Sequence, residues 1–579
     1  MNLTFLVRFL LFLLTLSAAA QNPAGHELVY LHGAESPSAP TALDAAGAMT
    51  FFAERGFRSG TPGTGNIVLG DTSALPGGLP GLRFESGYAD YYRINQREDV
   101  AFYASRSGIG VTAAGGLFLQ SEGTTYALAI DGANAPGGGR FKDLWLGHYN
   151  DPPALSSNGR VAFIAKTQGT GAPGRALYAA AIVAGSAVVT KIAGLSDPGP
   201  LGGTFTELYE DFKGGLGIND AGHIVFLGRT GSPDRVGNVF LWDGTALRSV
   251  SGDTFNAFAL INNAGRIIYG QNNNLLLYRG PGLSPQVLAS TTTATPAGGT
   301  FSVIDTPVLN EAGEIAFSSY VQSGPFGRGL WLWTREGVMK KIASPGPIAG
   351  GGTLTDMTLC DYARPTLDEN GIVYFCARTS GGDRILKSDG TTTVPLISEG
   401  DQLEGRDVVA LSIGDQESNA PRQSPVNDAG QLAYRAELEN PDGEGLFRYT
   451  PPAFEAWRQQ WYHRIADAGP AAALAAPLGD GIPNLIKFAT GMDPAFRGGA
   501  PGQLTRNGAE LTFTYPRNPA AVAEGFNFIV EWSDTLTPGS WSSAGVTSEA
   551  LPGGPLEQVT ATLPVSPQGR RFVRLRVTK

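Results

Sequence analysis

The residues of this chain able to ionise, ligate or attack are dispersed. Five histidines occur, His26, His32, His148, His223 and His463. None stands at a metal-ligand spacing from another, and no H-E-x-x-H pair exists. The sequence contains no G-x-S-x-G elbow and no G-x-x-x-x-G-K-[ST] loop. Its glycine-rich stretches are not followed by a helical pattern, so they do not make a phosphate cradle. Two carboxylates facing each other across an opening would suit glycosidic cleavage, yet no pair is singled out by spacing. Asp197, Asp253 and Asp401 recur after strand-like segments, where a turn-forming role is expected. Cys360 and Cys376 lack zinc-ligand spacing; they fall on neighbouring strands, and a disulfide between them is left open. Trp331 and Trp333 alternate around Leu332, so both rings share one face of a strand. They either stack on sugars or fill a core, and burial is the expected use. Accordingly no catalytic, cofactor-binding or metal-binding residue is assigned, and the chain is expected not to be an enzyme.

The first twenty residues are set apart. Arg8 precedes an apolar run from Phe9 to Leu16, and Ser17-Ala18-Ala19-Ala20 closes it, the layout of a secretory signal peptide cleaved after Ala20. The run is shorter than the roughly 20 residues that span a bilayer, and no later stretch is long enough. A secreted or cell-surface protein without a membrane span is expected. With 79 Gly and 39 Pro against 16% charged residues, the chain should hold many turns and few long helices. A net charge of −10 without a basic tract argues against nucleic acid as a partner.

A nine-residue motif organises the chain. Ile218 to Phe226 reads I-N-D-A-G-H-I-V-F, and related segments start at Leu43, Ile94, Leu155, Ile261, Leu309, Leu367 and Val426. The first residue is always aliphatic, the seventh apolar and the ninth Phe or Tyr. Asn or Asp fills the second position except at Ser156, and Gly the fifth except at Glu98. Asn and Asp bond their own backbone, and Gly accepts positive φ. An apolar run, such a turn and an alternating run make a β-hairpin with positions seven and nine on the buried face. Two more short strands follow each hairpin, then a Gly-rich loop such as Leu201 to Phe205 or Ala297 to Phe301. The unit is a four-stranded propeller blade.

The last copy supplies three strands before Pro451, and His26 to Leu31 supplies a spare one. Together they would complete an eighth blade and close the ring over residues 21–452. Seven blades and an open solenoid are the alternatives, because the third strand of the first copy is poorly marked. Residues 453–498 read as a connector with a helix from Phe454 to Ile465, its apolar face made by Phe454, Trp457, Trp461 and Ile465. An Asp480-Gly481-Ile482-Pro483-Asn484 turn follows. Residues 499–579 read as a small β-sandwich.

The eight motifs resemble a family of exported bacterial tandem-repeat proteins described by an Asn-x-x-Gly-x-x-Ala-Phe signature, β-propeller-like and without an established activity. The resemblance spans Leu43 to about Thr450. Glu98 departs from its Gly; its Ala is kept at Ala101, Ala162, Ala316 and Ala433 and replaced at Thr50, Val225, Ile268 and Tyr374. The tail is similar to C-terminal regions of surface proteins from environmental bacteria. Its turn resembles calcium-binding repeats of the thrombospondin type 3 kind: Asp480, Asn484 and Asp493 match, while Ala476, Leu478 and Lys487 stand where acidic ligands are expected. A metal-free turn is therefore expected. The family resemblance implies an architecture and an exported location only; a rigid propeller ring with variable loops leads to the expectation of a non-catalytic scaffold binding a polysaccharide or a surface protein through those loops. A carbohydrate-active propeller enzyme and a structural envelope protein are the alternatives, and the oligomeric state is not legible.

Overall fold

A computed structural model describes residues 22–579 except 32–41, 54–55, 63–65, 71–91, 107–113, 145–152, 209–214, 232–236, 252–255, 306, 323–326, 349–351, 355–364, 414–424, 440–442, 509, 552 and 567–568. The proposed signal segment, His32, His148, Asp253 and Cys360 lie outside the described residues. The chain divides into two compact units, Met1–Thr450 and Pro451–Lys579.

Eight antiparallel sheets, one per motif copy, build the first unit. The fifth is the simplest: Asn256–Ile261, Ile267–Gln271, Asn274–Tyr278 and Gln286–Ala289, hydrogen-bonded in sequence order. The motif is the turn between the first two strands. From the second to the seventh blade, first strands of successive blades contact one another along the inner ring. In blades three, four, six and seven this inner strand is two short pieces that both pair with the second strand. In blade six they are Thr300–Ile304 and Val308–Leu309, against Ile315–Gln322.

The spacing of the motif is explained by burial on both faces of each blade. Positions seven and nine are at most 1% exposed in every copy, from Met49 and Phe51 to Leu432 and Tyr434. Position eight points to the opposite face, where the neighbouring blade covers it. Ala101 of blade two packs with Val161 and Phe163 of blade three. Ala162 packs with Ile224 and Phe226, and Ala316 with Val373 and Phe375. Val225 packs in the same way with Ile267 and Tyr269, so the joint accepts residues from Ala to Val at position eight; each ninth-position ring buried there contributes about 2 kcal/mol.

The series closes on itself. His26–Leu31 pairs antiparallel with Gly443–Tyr449 as the outer strand of the eighth blade. Ala433 and Leu446 of that blade then share a core with Met49 and Phe51 of the first. The third strand of the first copy, indistinct in the sequence, is Gly56–Gly60. The ring thus has eight blades, and the open-solenoid and seven-blade alternatives do not hold.

In five blades the ninth-position ring faces an aromatic on the third strand, as in Phe102↔Phe118, Phe226↔Phe240 and Phe317↔Trp331. The Gly-rich loops add a third ring. Phe301 lies 5.3 Å from Trp331, edge to face, and 5.7 Å from Phe317. Trp331 folds back over Gly329, where a Cβ would lie 2.5 Å from the indole.

The second unit has a four-stranded sheet (Gln503–Asn507, Glu510–Arg517, Glu557–Leu563, Thr547–Leu551) and a strand pair, Asn527–Ser533 with Phe572–Thr578. Phe454 and Phe488 from the helical segments join Phe513, Val559 and Leu575 in one core, so the segment 453–498 and the strands of 499–579 form a single body. The helix differs from its expected extent. It runs Ala453–Tyr462 and stops because His463 adopts φ 51°. Trp461 is exposed although it lies within the helix, and Ile465 reaches its buried position from outside it.

Candidate functional site

The eight motif turns gather at one end of the inner ring, and most of the repeat's polar side chains meet there. Each turn is built identically. The second-position side-chain oxygen accepts the N–H of the sixth residue at 2.7–3.0 Å in all eight copies. The fifth residue has positive φ throughout, including Glu98 at 63°. Holding a non-glycine residue there costs roughly 1 kcal/mol; the Glu98 carboxylate accepts a 2.5 Å bond from the Ser59 hydroxyl of the first blade.

The other half of the second-position amide reaches across the blade joint. Asn95 Nδ2 donates to the Ser156 carbonyl (2.9 Å), Asn219 to Asn262 (3.2 Å), Asn262 to Asn310 (3.0 Å), Asn310 to Asp368 (2.9 Å) and Asn427 to Asp44 (2.7 Å), the last across the closing joint. The copies with Ser156 and Asp368 have no such amide, and each carries an Asn two residues later. Asn158 Nδ2 donates to the Asp220 carbonyl at 2.9 Å and Asn370 Nδ2 to the Asp428 carbonyl at 3.3 Å. Asp44 lacks both, and no such amide bond spans joint one–two among the described residues. The second position is thus a buried structural rivet, because an unpaired amide or carbonyl here would cost about 1–3 kcal/mol.

The third position forms a carboxylate-rich rim that the sequence reading did not single out. Asp220 accepts the Asn158 N–H (2.9 Å), Glu311 that of Asn263 (2.7 Å) and Glu369 those of Glu311 and Ala312 (2.9 and 3.1 Å). Asn263 Nδ2 reaches Ser157 Oγ, two blades away, at 3.0 Å, so the rim is narrow. Burial holds Glu311 and Glu369 above the usual carboxylate range, and neighbouring carboxylates add to it: Glu369, Asp220 and Asp428 for Glu311, Asp428 and Glu314 for Glu369. The signal was present as a polar third position in every copy except Ala45. Chemically the rim clasps one turn to the next. Among the described residues no group of three or more His, Cys, Asp or Glu is arranged to hold a metal ion.

The residues weighed in the sequence are not brought together. His223 sits on a motif turn and His463 ends a helix. His26 is buried between Tyr434 and Tyr449. Trp331 is fully buried and Trp333 packs at the margin of the same core. Asp197 and Asp401 accept the N–H of Gly194 and Ser398, as turn formers do. Cys376 is disulfide-bonded.

In the second unit the Asp480 turn is filled by protein. Lys487 Nζ lies 2.7 Å from Asp480 Oδ2, with both side chains almost wholly buried. Asn484 donates to the carbonyls of Pro470 (2.8 Å) and Ala472 (2.9 Å) and accepts from the Tyr462 hydroxyl (2.7 Å). The bond to Lys487 holds Asp480 down to about 2. Its stabilisation is present above the unbonded value of 3.8 and is lost as pH falls toward 2. Millimolar calcium or EDTA is expected to leave the melting temperature of this unit unchanged in calorimetry; a rise with calcium would show that the ion displaces Lys487.

No curated protein matches the chain. Among solved structures it is similar to dipeptidyl peptidase 4 of Porphyromonas gingivalis (TM-score 0.43, 11% identity, 70% of this chain and 57% of that one). It is also similar to PorZ, described as a surface component of the type-IX secretion system of the same organism (0.32, 13%, 92% and 64%). A third is the β-propeller domain of the Trilobed protease from Pyrococcus furiosus (0.34, 10%, 65% and 100%). The chain spans less than two thirds of the length of the first two. Residues 34–247 and 243–447 each match one family, two passes that together run over all eight motif copies. The chain belongs to that family, DUF7453, whose function is unknown.

Proposed function

We propose that the protein is an exported, non-catalytic propeller scaffold that binds a polysaccharide or a surface protein through loops, and that its motifs are those of the Asn-x-x-Gly-x-x-Ala-Phe repeat family. One observation carries the reading: the polar residues that recur from blade to blade are engaged in riveting the blades together. What the repeat encodes is a rigid ring, and loops on a rigid frame are where recognition resides. The disulfide at Cys376 suits an oxidising compartment, as does the signal-like segment ending at Ala20. No helix among the described residues is long and apolar enough to cross a membrane.

The test is retention of the chain from Gln21 to Lys579 on immobilised polysaccharides, with soluble sugar assayed in parallel. Retention without release is expected. Release of sugar would establish the enzyme alternative, and absence of both would leave a protein partner or an envelope role.

A further inference from the structure

We propose that the joint between the seventh and eighth blades is a proton-controlled seam, held shut when the Asp368 carboxyl is neutral and loosened when it ionises. Five of the eight copies place a neutral Asn amide at the second position, and it donates across the joint at any pH. At this joint the group is a carboxyl only 2% exposed. Its Oδ1 accepts the N–H groups of Asn370 (2.9 Å) and Ile372 (2.8 Å). Its Oδ2 lies 3.4 Å from the Tyr374 hydroxyl. Tyr374 occupies the eighth position, where four copies have Ala, and its hydroxyl also lies 3.2 Å from the Gly430 carbonyl of the eighth blade.

That hydroxyl has one proton, and the Asp368 carboxyl and the Gly430 carbonyl are both within its reach. When Asp368 is neutral, its own O–H donates to the Tyr374 oxygen, and the tyrosine proton goes to Gly430. A short donor chain then crosses the seam. When Asp368 is ionised, the charge draws the tyrosine proton to itself, and the Gly430 carbonyl loses that donor. Burial favours the neutral form, whereas the N–H groups of Ile372 and Asn370 and the Tyr374 hydroxyl favour the ionised one, and burial is the larger effect. Glu314 approaches from the sixth blade, and the Arg335 cation beside it is bound to Glu314 at 2.9 Å. From the eighth blade come the carbonyls of Gly430 and of Asp428, the latter held by Asn370. Burial, with Glu314 adding to it, raises Asp368 to about 7.

Hydrogen exchange of the full chain tests this, followed by mass spectrometry on peptides covering 366–375 and 425–434 across pH about 5 to 9. After correction for intrinsic exchange, wild type is expected to lose protection about tenfold through neutrality. Asp368→Asn is expected to show no such step, and Tyr374→Phe to be weakly protected at every pH. A wild type without the step, or an Asp368→Asn variant that keeps it, overturns the proposal. Should the variants not fold, the infrared band of a protonated carboxyl in wild type decides. Its loss in step with protection supports the seam, and its absence at pH about 6 overturns it.

Discussion

A chain beginning at Gly33, without the strand His26–Leu31, is expected to melt about 5 °C lower in its propeller transition, while the second unit melts unchanged. The strand is the outer edge of the eighth blade, and its ladder and core contacts are long-range. His26 Nδ1 lies 2.7 Å from the Tyr434 hydroxyl, and its Nε2 lies 3.0 Å from the Leu396 carbonyl of the seventh blade. Val29 is 3% exposed in the closing core. Losing one buried aliphatic side chain, two buried hydrogen bonds and the backbone ladder amounts to about 5 kcal/mol, a large part of a typical folding free energy. The truncation also bares the edge of Gly443–Tyr449, so association should appear in size-exclusion chromatography. An unchanged transition would mean that the ring does not depend on this strand. A milder form of the experiment uses pH. Burial holds His26 down to about 4, against 6.5 when exposed. The unfolded chain therefore takes up the proton first, and folding weakens as pH falls from 6.5 toward 4. His26→Gln should flatten that acid limb.

Trp331→Ala is expected to cost about 3–5 kcal/mol, because it empties the centre of a three-ring cluster. Trp333→Ala, at the margin of the same core, should cost about 1 kcal/mol. Chemical denaturation measures both. The comparison also separates the two uses of these rings. If glycan retention depended on Trp331 in a variant that stays folded, the ring would have to be reachable by sugar, and its complete burial would be an incorrect description.

Much of this was legible because it is local or periodic. Positions seven and nine announce their burial by alternation, the fifth announces its backbone conformation by glycine, and the spare strand at His26 is required by the missing strand of the eighth blade. The second position was legible only in part. A turn-forming Asn is recognisable from its neighbours, but its amide reaches a carbonyl 43 to 61 residues later in the chain, or 383 residues back at the closing joint. The compensating Asn158 and Asn370 were in plain view, yet they acquire meaning only once that reach is known. The split inner strands were hidden because their halves pair with the same neighbour from opposite sides of an interruption. Trp461 fits the helical period, and the left-handed His463 that turns the chain afterwards leaves no comparable mark. At the Asp480 turn, Lys487 stands where the sequence pattern expects an acidic ligand, and its ammonium binds the Asp480 carboxylate instead.

The closing strand sets an order of events. It is made early, but its partners are synthesised last: Arg448 lies 421 residues after Glu27, to which it is bonded. Blades formed of adjacent sequence can fold as they emerge, whereas the ring waits for the final hairpin. Until then two edges stay open and a loop of several hundred residues remains to be closed, at an entropic cost that grows only slowly with its length. Folding of the seven sequential blades should therefore be fast and additive. The last step should be slow, and the half-closed ring is the species most exposed to mispairing.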